Sequence, residues 1–216
     1  MKTFAIYCSG GASRILKFYS LNNNVNKYKP KKAIYDGDNE DVILKLKSLF
    51  KKDLLLFKKE LLSKEEQSKI HKATSDFIHK TLIQNNIDYL LCFGTKILKK
   101  PLIEDYANRL INFHPSLLPS FKGLYSIDQA LKYNVSLIGN TAHFIDKGVD
   151  TGKVIVQSAM LTEEYEDYED VLELQFPMIK MILRDILLYD ISDDEIFAEI
   201  KNRNKKYLIP NKCTNE

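Results

Sequence analysis

The sequence predicts an α/β domain with a mainly parallel sheet flanked by helices, and three observations carry that expectation. Short apolar runs alternate with helical repeats along the chain, the order that builds a parallel sheet. The run "DYLLCFG", residues 88–94, is apolar on both faces, as a strand covered by helices on either side must be. The opening run "FAIYC" ends in a small-residue turn, "SGGASR", that leads into a helical pattern. A chain of 216 residues is long enough for one substantial core.

The elements follow in order. Residues 4–8 form the first strand, and Ile15, Leu16, Phe18 and Tyr19 recur at helical spacing after the turn. A second strand is expected at 32–35, a helix at 41–50 and a third strand at 53–57. Ser63 and Glu66 have the spacing of a capping box, ahead of Ile70, Ala73, Phe77, Ile78 and Leu82 on one helical face. Strands at 88–94 and 109–114 come next, the latter stopped by Pro115, which has no N–H to give a ladder. A helix at 126–133 precedes two extended runs, 137–145 and 153–160. The last third reads as helical, broken or kinked at Pro177, with Ser192 an N-cap before Asp193, Asp194 and Glu195. Residues 203–216 lack periodicity and read as a tail. Residues 1–202 are expected to form a single domain, with no internal repeat and no linker.

Composition excludes several classes of function. A net charge of +3 is too small to argue for nucleic acid, and Lys27, Lys29, Lys31 and Lys32 read as a solvated face. Cys8, Cys92 and Cys213 lack C-x-x-C spacing, so neither a disulfide framework nor a zinc site is suggested. The opening apolar stretch is too short for a secretory signal, and no window approaches a membrane span, so a cytoplasmic location is expected.

Chemistry concentrates in two stretches. Asn112 and His114 lie two apart in a strand and therefore share a face at its carboxyl end, where open α/β sheets hold ligands. "NTAHFIDKGVDTGKVIVQ", residues 140–157, gathers His143, Asp146 and Asp150 among small residues and glycines. Gly148 and Gly152 bracket Asp150, which allows backbone conformations other residues resist. An amide can donate to an oxyanion, an imidazole can hold a proton in transit and a carboxylate can orient that imidazole. Such a trio suits addition of an amine to a carbonyl, with no metal and no covalent nucleophile.

The blocks "NFHPSLLPSFKGLYSIDQAL" and "GNTAHFIDKGVDTGKVIVQ" resemble the folate-dependent formyltransferases, most of all the branch that acts on glycinamide ribonucleotide. Their order and separation match the family pattern over residues 109–157. Two joined blocks are far more specific than a lone short motif. The resemblance implies a Rossmann-like fold in which roughly residues 1–100 hold the acceptor and 101–202 hold the folate, with the active site in the cleft between them. It implies N-formylation of a primary amine by 10-formyltetrahydrofolate, a co-substrate, with no metal. Asn112 and protonated His114 would stabilise the tetrahedral intermediate, and Asp150 would position His114 and help proton transfer through water. Phe93, Gly94, Ile97 and Leu98 would line the pterin pocket largely through backbone groups, and the loop bearing Thr141, His143 and Asp146 would close its other side. His143 is expected to support the loop. Gly10, Gly11, Ala12, Ser13 and Arg14 would cradle the acceptor's phosphate.

Two departures bear on the acceptor. The family's phosphate turn is Ser-Gly-x-Gly-Ser-Asn, whereas here Arg14 stands in place of the Asn and offers a fork of different geometry. The acidic residue that binds the acceptor ribose has no clear counterpart in "ELQFPMIKMIL", where Glu173 is out of register. Three expectations therefore stand together: formylation of glycinamide ribonucleotide or a similar phosphorylated acceptor in purine synthesis, formylation of a nucleotide-linked amino sugar for surface polysaccharide, and a folate-binding paralogue without catalysis. The partners expected are small molecules, an amine acceptor and a folate, without nucleic acid or membrane; a homodimer is compatible with all three.

Overall fold

The structure, a computed structural model, describes residues 1–21, 23–57, 67–197 and 207–208. The expected capping box of Ser63 and Glu66 lies outside these residues, as does most of the expected tail. The chain divides into two compact units, Thr3–Ile111 and a second made of Met1–Lys2 with Asn112–Glu216.

In the first unit, β1 (Phe4–Cys8), β2 (Lys32–Tyr35), β3 (Leu54–Leu56) and β4 (Tyr89–Phe93) pair in parallel in the order β3-β2-β1-β4. All five residues of β1 are buried, as a strand central to a covered sheet requires. The connecting helices are α1 (Ser13–Ser20), α2 (Asn24–Lys27), α3 (Glu40–Phe50), α4 (Gln67–Gln84) and α5 (Leu102–Asp105). Helix α3 begins where Asn39 accepts from the Val42 N–H at 3.1 Å, and it buries Val42, Leu46 and Phe50 at helical spacing. Helices α2 and α5, four residues each, are too short to leave a periodic signal, so sequence patterning misses both. Of the lysine cluster, Lys29 and Lys32 are not merely solvated: both pair with Asp53, at 2.8 and 3.1 Å.

Strand β5 (Leu110–His114) begins at the end of the first unit and finishes in the second. There β6 (Leu137–Phe144) and β7 (Val154–Leu161) pair antiparallel, and β8 (Tyr207–Leu208) adds antiparallel to β7 opposite Met160 and Ala159. This two-residue strand falls inside the segment the sequence reads as a tail; two residues carry no detectable alternation. Helices α6 (Ser126–Lys132), α7 (Tyr168–Glu173), α8 (Gln175–Asp185) and α9 (Asp193–Phe197) complete the unit. Helix α9 has the expected start: the Glu195 N–H donates to Ser192 Oγ at 3.2 Å. The break expected at Pro177 lies upstream, at Leu174, between α7 and α8. Pro177 is the third residue of α8, in a first turn whose N–H groups have no intrahelical acceptor, so it costs the helix nothing there. Helix α8 buries every residue from Gln175 to Leu183. Polar groups meeting it are paired: Gln175 Nε2 donates to Asn140 Oδ1 at 2.7 Å, and Asn140 Nδ2 donates to the Val171 carbonyl at 2.6 Å.

The architecture is α/β with a mainly parallel sheet, as expected. No helix among the described residues is long and apolar enough to cross a membrane. Cys8 and Cys92 are both buried.

Candidate active site

The second unit assembles its polar cluster around the end of β5. Alternation along the strand gives Asn112 and His114 one face, and the strand stops at His114, ahead of Pro115. The turn that follows contains a cis Leu118–Pro119 bond and is tied down from both sides. Ser116 Oγ donates to the Ser120 carbonyl at 2.7 Å, and Ser126 Oγ donates to the Pro115 carbonyl at 2.9 Å. Thr141 supplies the rest. Its hydroxyl donates to the Ser116 carbonyl at 2.7 Å and accepts from the Leu118 N–H at 3.0 Å and from Gln157 Nε2 at 2.9 Å. Thr141 has no exposed surface. Its oxygen is engaged in fastening the turn.

Three side chains and a backbone N–H meet at Asp150. His114 Nδ1 lies 3.3 Å from Asp150 Oδ2, and His143 Nε2 lies 3.5 Å from Asp150 Oδ1. Asn112 Nδ2 stands 3.2 Å from His143 Nε2 and donates to Asp150 Oδ1 at 3.4 Å. The Gly123 N–H donates to Asp150 Oδ2 at 2.9 Å. The outer nitrogens of both rings face carbonyls, His114 Nε2 to Phe121 at 2.9 Å and His143 Nδ1 to Phe144 at 2.9 Å. Carbonyls only accept, so each of those nitrogens carries a proton. His143 Nε2 stands between the Asn112 amide and Asp150 Oδ1. His114 turns its second nitrogen to a carboxylate, so both its partners are satisfied only when the ring is charged.

Electrostatics pulls His114 in two directions. Burial pushes its pKa below the usual imidazole value, while the Phe121 carbonyl and the Asp150 carboxylate favour the charged ring and His143 opposes it. For Asp150, burial raises the pKa, yet the His143 contact, the Gly123 N–H and the two imidazoles outweigh it and hold the carboxyl below the usual range. The cluster therefore holds a fixed anion against an imidazole that is neutral when empty and well partnered once protonated. Such a pair can take up a proton during a reaction and give it back.

This arrangement also sets a pH dependence of stability. His71, on α4, likewise has its pKa lowered, by burial first and then by Lys96 and Lys99. A histidine with a lower pKa in the folded state leaves the unfolded chain to bind its proton first. The stability is whole above the unfolded value of about 6.5 and drains as pH falls through it towards the folded value. The unfolding midpoint should fall as pH is lowered from 7.5 to 5.5, with a shallower fall in His114→Asn. A midpoint that stays flat or rises overturns this electrostatic account. Asp150, with its depressed pKa, contributes in a separate window, lost only as pH falls below the carboxylate range.

The loop carrying Asp150 is built for close approach. Asp150 itself has φ of 50°, in the left-handed region. Between the pairs Ala142–Val156 and His143–Val154 the register skips Ile155, a β-bulge at the point where His143 joins the cluster. Asp146 is exposed, and its Oδ1 accepts from the Gly148 N–H at 2.9 Å and from Thr151 Oγ1 at 2.7 Å, fastening the loop. A Cβ on Gly152 would stand 1.7 Å from the Phe144 carbonyl oxygen, the acceptor that orients His143. Gly152→Ala should therefore shift that carbonyl, lowering stability by about 1–3 kcal/mol as overpacking does, and reducing activity along with it. Unaltered melting and turnover would show that the carbonyl is free to move. His143 is the residue whose place patterning undervalued. Its ring is buried within the cluster, with only 3% of its side chain exposed. Its sequence signal was only the same-strand pairing with Thr141.

The remaining expected site residues lie in the first unit. The turn 9–12 opens α1 with Gly10 and Ala12 both at positive φ, and α1 has no side-chain cap and no acidic residue in its first turn. Gly11 and Ser13 are exposed. Tyr35 fixes the turn by donating its hydroxyl to the Gly10 carbonyl at 2.6 Å. The Arg14 guanidinium lies over the Phe93 ring, 5.6 Å from its centroid, and reaches the Phe93 carbonyl at 3.5 Å. Phe93 and Leu98 are buried, Ile97 is exposed, and a Cβ on Gly94 would stand 2.1 Å from the Tyr7 ring. Among the described residues no cluster of His, Cys, Asp and Glu is arranged to hold a metal ion.

Comparison with known proteins adds the family. Residues 46–175 match the family model described as formyl transferase. The chain is 37% identical over 76 residues to the phosphoribosylglycinamide formyltransferase of Bacillus subtilis, a stretch covering 35% of this chain and 39% of that protein. It is 38% identical over 96 residues to the human trifunctional purine biosynthetic protein adenosine-3, covering 43% of this chain and 10% of that protein. The aligned stretches thus span well under two thirds of these relatives. The crystal structure of phosphoribosylglycinamide formyltransferase from Streptococcus pneumoniae shares the fold, with a TM-score of 0.62 at 24% identity, over 94% of this chain and all of that one.

Proposed function

Because the chain belongs to the formyl transferase family, we propose that it is an N-formyltransferase that moves a formyl group from 10-formyltetrahydrofolate to the primary amine of glycinamide ribonucleotide or a similarly phosphorylated acceptor. The observation that carries this reading is the cluster of half-buried Asn112, buried His114 and half-buried Asp150 at the end of β5, with His114 3.3 Å from Asp150. The relatives named for phosphoribosylglycinamide formyl transfer support the choice of acceptor.

The residues present suit the reaction. The acceptor's nitrogen bonds to the formyl carbon, and the carbonyl pair moves onto oxygen. The Asn112 amide is available to that oxyanion: its bonds to His143 and Asp150, at 3.2 and 3.4 Å, are long, so little is lost when it turns. Protonated His114 becomes the second donor by exchanging one of its present acceptors, the Phe121 carbonyl or Asp150, for the oxyanion. As the intermediate collapses, the bond from the formyl carbon to the folate nitrogen breaks. That nitrogen keeps the pair and receives the proton that the attacking amine gives up, so the imidazole returns to its starting state. On the acceptor side, the uncapped start of α1 and the turn of Gly10, Gly11, Ala12 and Ser13 offer backbone donors to a phosphate, with Arg14 beside them. On the folate side, residues 93–98 supply backbone groups. The enzyme acts on small molecules in the cytoplasm.

The test incubates the purified protein with 10-formyltetrahydrofolate and, separately, glycinamide ribonucleotide or a panel of nucleotide-linked amino sugars, following tetrahydrofolate release by absorbance. Turnover with glycinamide ribonucleotide is expected. Turnover with amino sugars alone would reassign the acceptor, and no turnover with either would remove the proposed activity.

A further inference from the structure

The loop that leaves β4 at Gly94 and reaches α5 at Leu102 is held in an unusual way. Every second N–H along it goes to a side chain. The Thr95 N–H donates to Ser9 Oγ at 3.1 Å, the Ile97 N–H to His71 Nδ1 at 3.2 Å, and the Lys99 N–H to Ser75 Oγ at 2.9 Å. His71 and Ser75 stand four residues apart on α4, so they lie on one helical face. Ser75 Oγ spends its own proton on the His71 carbonyl at 2.6 Å, which leaves its lone pairs to the loop.

We infer that His71 is a positioning residue for folate binding, fixing the backbone of residues 95–99 from behind so that the opposite edge is presented to the pterin. The inference rests on the proposed function, in which this segment forms the folate side of the site. His71 serves only as a neutral ring, because Nδ1 must be bare to accept the Ile97 N–H. Burial, with Lys96 and Lys99 adding to it, lowers its pKa and keeps that form in place at neutral pH. The contact is not needed to build the sheet. Strand β4 pairs with β1 along its whole length, and α4 is seated through the buried Thr74, Ile78 and Leu82. Leu98 is buried while Ile97 is 43% exposed, so the hydrogen bond rather than side-chain packing fixes the backbone at Ile97.

The experiment compares the wild type with His71→Ala and His71→Asn, whose amide oxygen reaches about where Nδ1 stands. Tetrahydrofolate binding is measured by calorimetry, donor KM and kcat by the formyl-transfer assay, and amide exchange at Ile97 and Lys99 without ligand. In His71→Ala, the donor Kd and KM should rise about tenfold, the loss of one well-placed hydrogen bond. Turnover should stay within about twofold, and exchange at Ile97 should quicken; His71→Asn should restore all three. An unchanged donor Kd and KM in His71→Ala, or a fall confined to kcat, overturns the inference, as does failure of His71→Asn to restore binding while it melts like the wild type. If the wild type itself binds no tetrahydrofolate, the proposed donor is wrong and the folate role falls with it. Amide exchange would then still report whether His71 holds the loop.

Discussion

His114→Ala is expected to lower kcat/KM for formyl transfer by on the order of 10²–10³, the loss that follows removal of one donor to a developing oxyanion. The larger end of that range is favoured because this ring does two things in sequence. It stabilises charge on the formyl oxygen, and it holds the proton that must travel from the attacking amine to the departing folate nitrogen. Asn112→Ala removes only the first of these and should sit at the lower end. The two losses should combine by less than their product, since both side chains serve one oxygen. Folding must be checked, because His114 is 6% exposed and its removal leaves the Phe121 carbonyl without its donor. That costs about 1–3 kcal/mol of stability, which lowers the melting temperature but does not alter the turnover of the folded fraction. His114→Asn, with an amide that reaches towards the same carbonyl, separates the two effects. Turnover near the wild-type rate in either His114 variant would remove this residue from the chemistry.

Much of this site was legible in the sequence because strand alternation is a strict rule. Asn112 and His114, two apart ahead of Pro115, had to share a face at a strand end, and they do. The βα order of the first unit was equally plain, since apolar runs such as residues 89–93 leave no other assignment. What escaped patterning has physical causes. His143 and Thr141 alternate along one strand, and the resemblance placed them in one loop. Packing gave Thr141 to the turn at Pro119 and His143 to the carboxylate, with the bulge opposite Ala142 and His143 between them. Nothing local marks a hydroxyl whose partners are 23 and 25 residues away. The anchoring of residues 95–99 on His71 and Ser75 was invisible for the same reason, because it joins a helix to a loop more than twenty residues further on. The same holds for Arg14. Its contact with Phe93, 79 residues away, has no local mark in the sequence.

Asp150→Asn isolates charge more cleanly than any other change at this site. Asp150 has φ of 50°, a conformation that most side chains resist and that asparagine adopts as readily as aspartate. The backbone therefore has no reason to move. The new amide oxygen can still accept from the Gly123 N–H, now at 2.9 Å from Oδ2, which keeps the loop closed on the turn. The other end of the amide fares worse. Its NH₂ then faces the Asn112 Nδ2, so two donors meet where a donor and an acceptor stood. Flipping the amide would restore that contact only by turning the NH₂ on Gly123. Above all, the anion that partners His114 Nδ1 is gone, so protonating a ring already disfavoured by burial becomes harder still. Activity should fall by at least about 10²-fold, within the range that general acid–base groups supply. Binding of tetrahydrofolate should persist, and the melting temperature should stay close to that of the wild type. A drop in melting temperature with specific activity intact would make Asp150 a loop fastener like Asp146. If the measured outcome is instead a silent, well-folded enzyme, the carboxylate acts through its charge, because charge is the property the substitution removes while its one strong backbone bond can be kept.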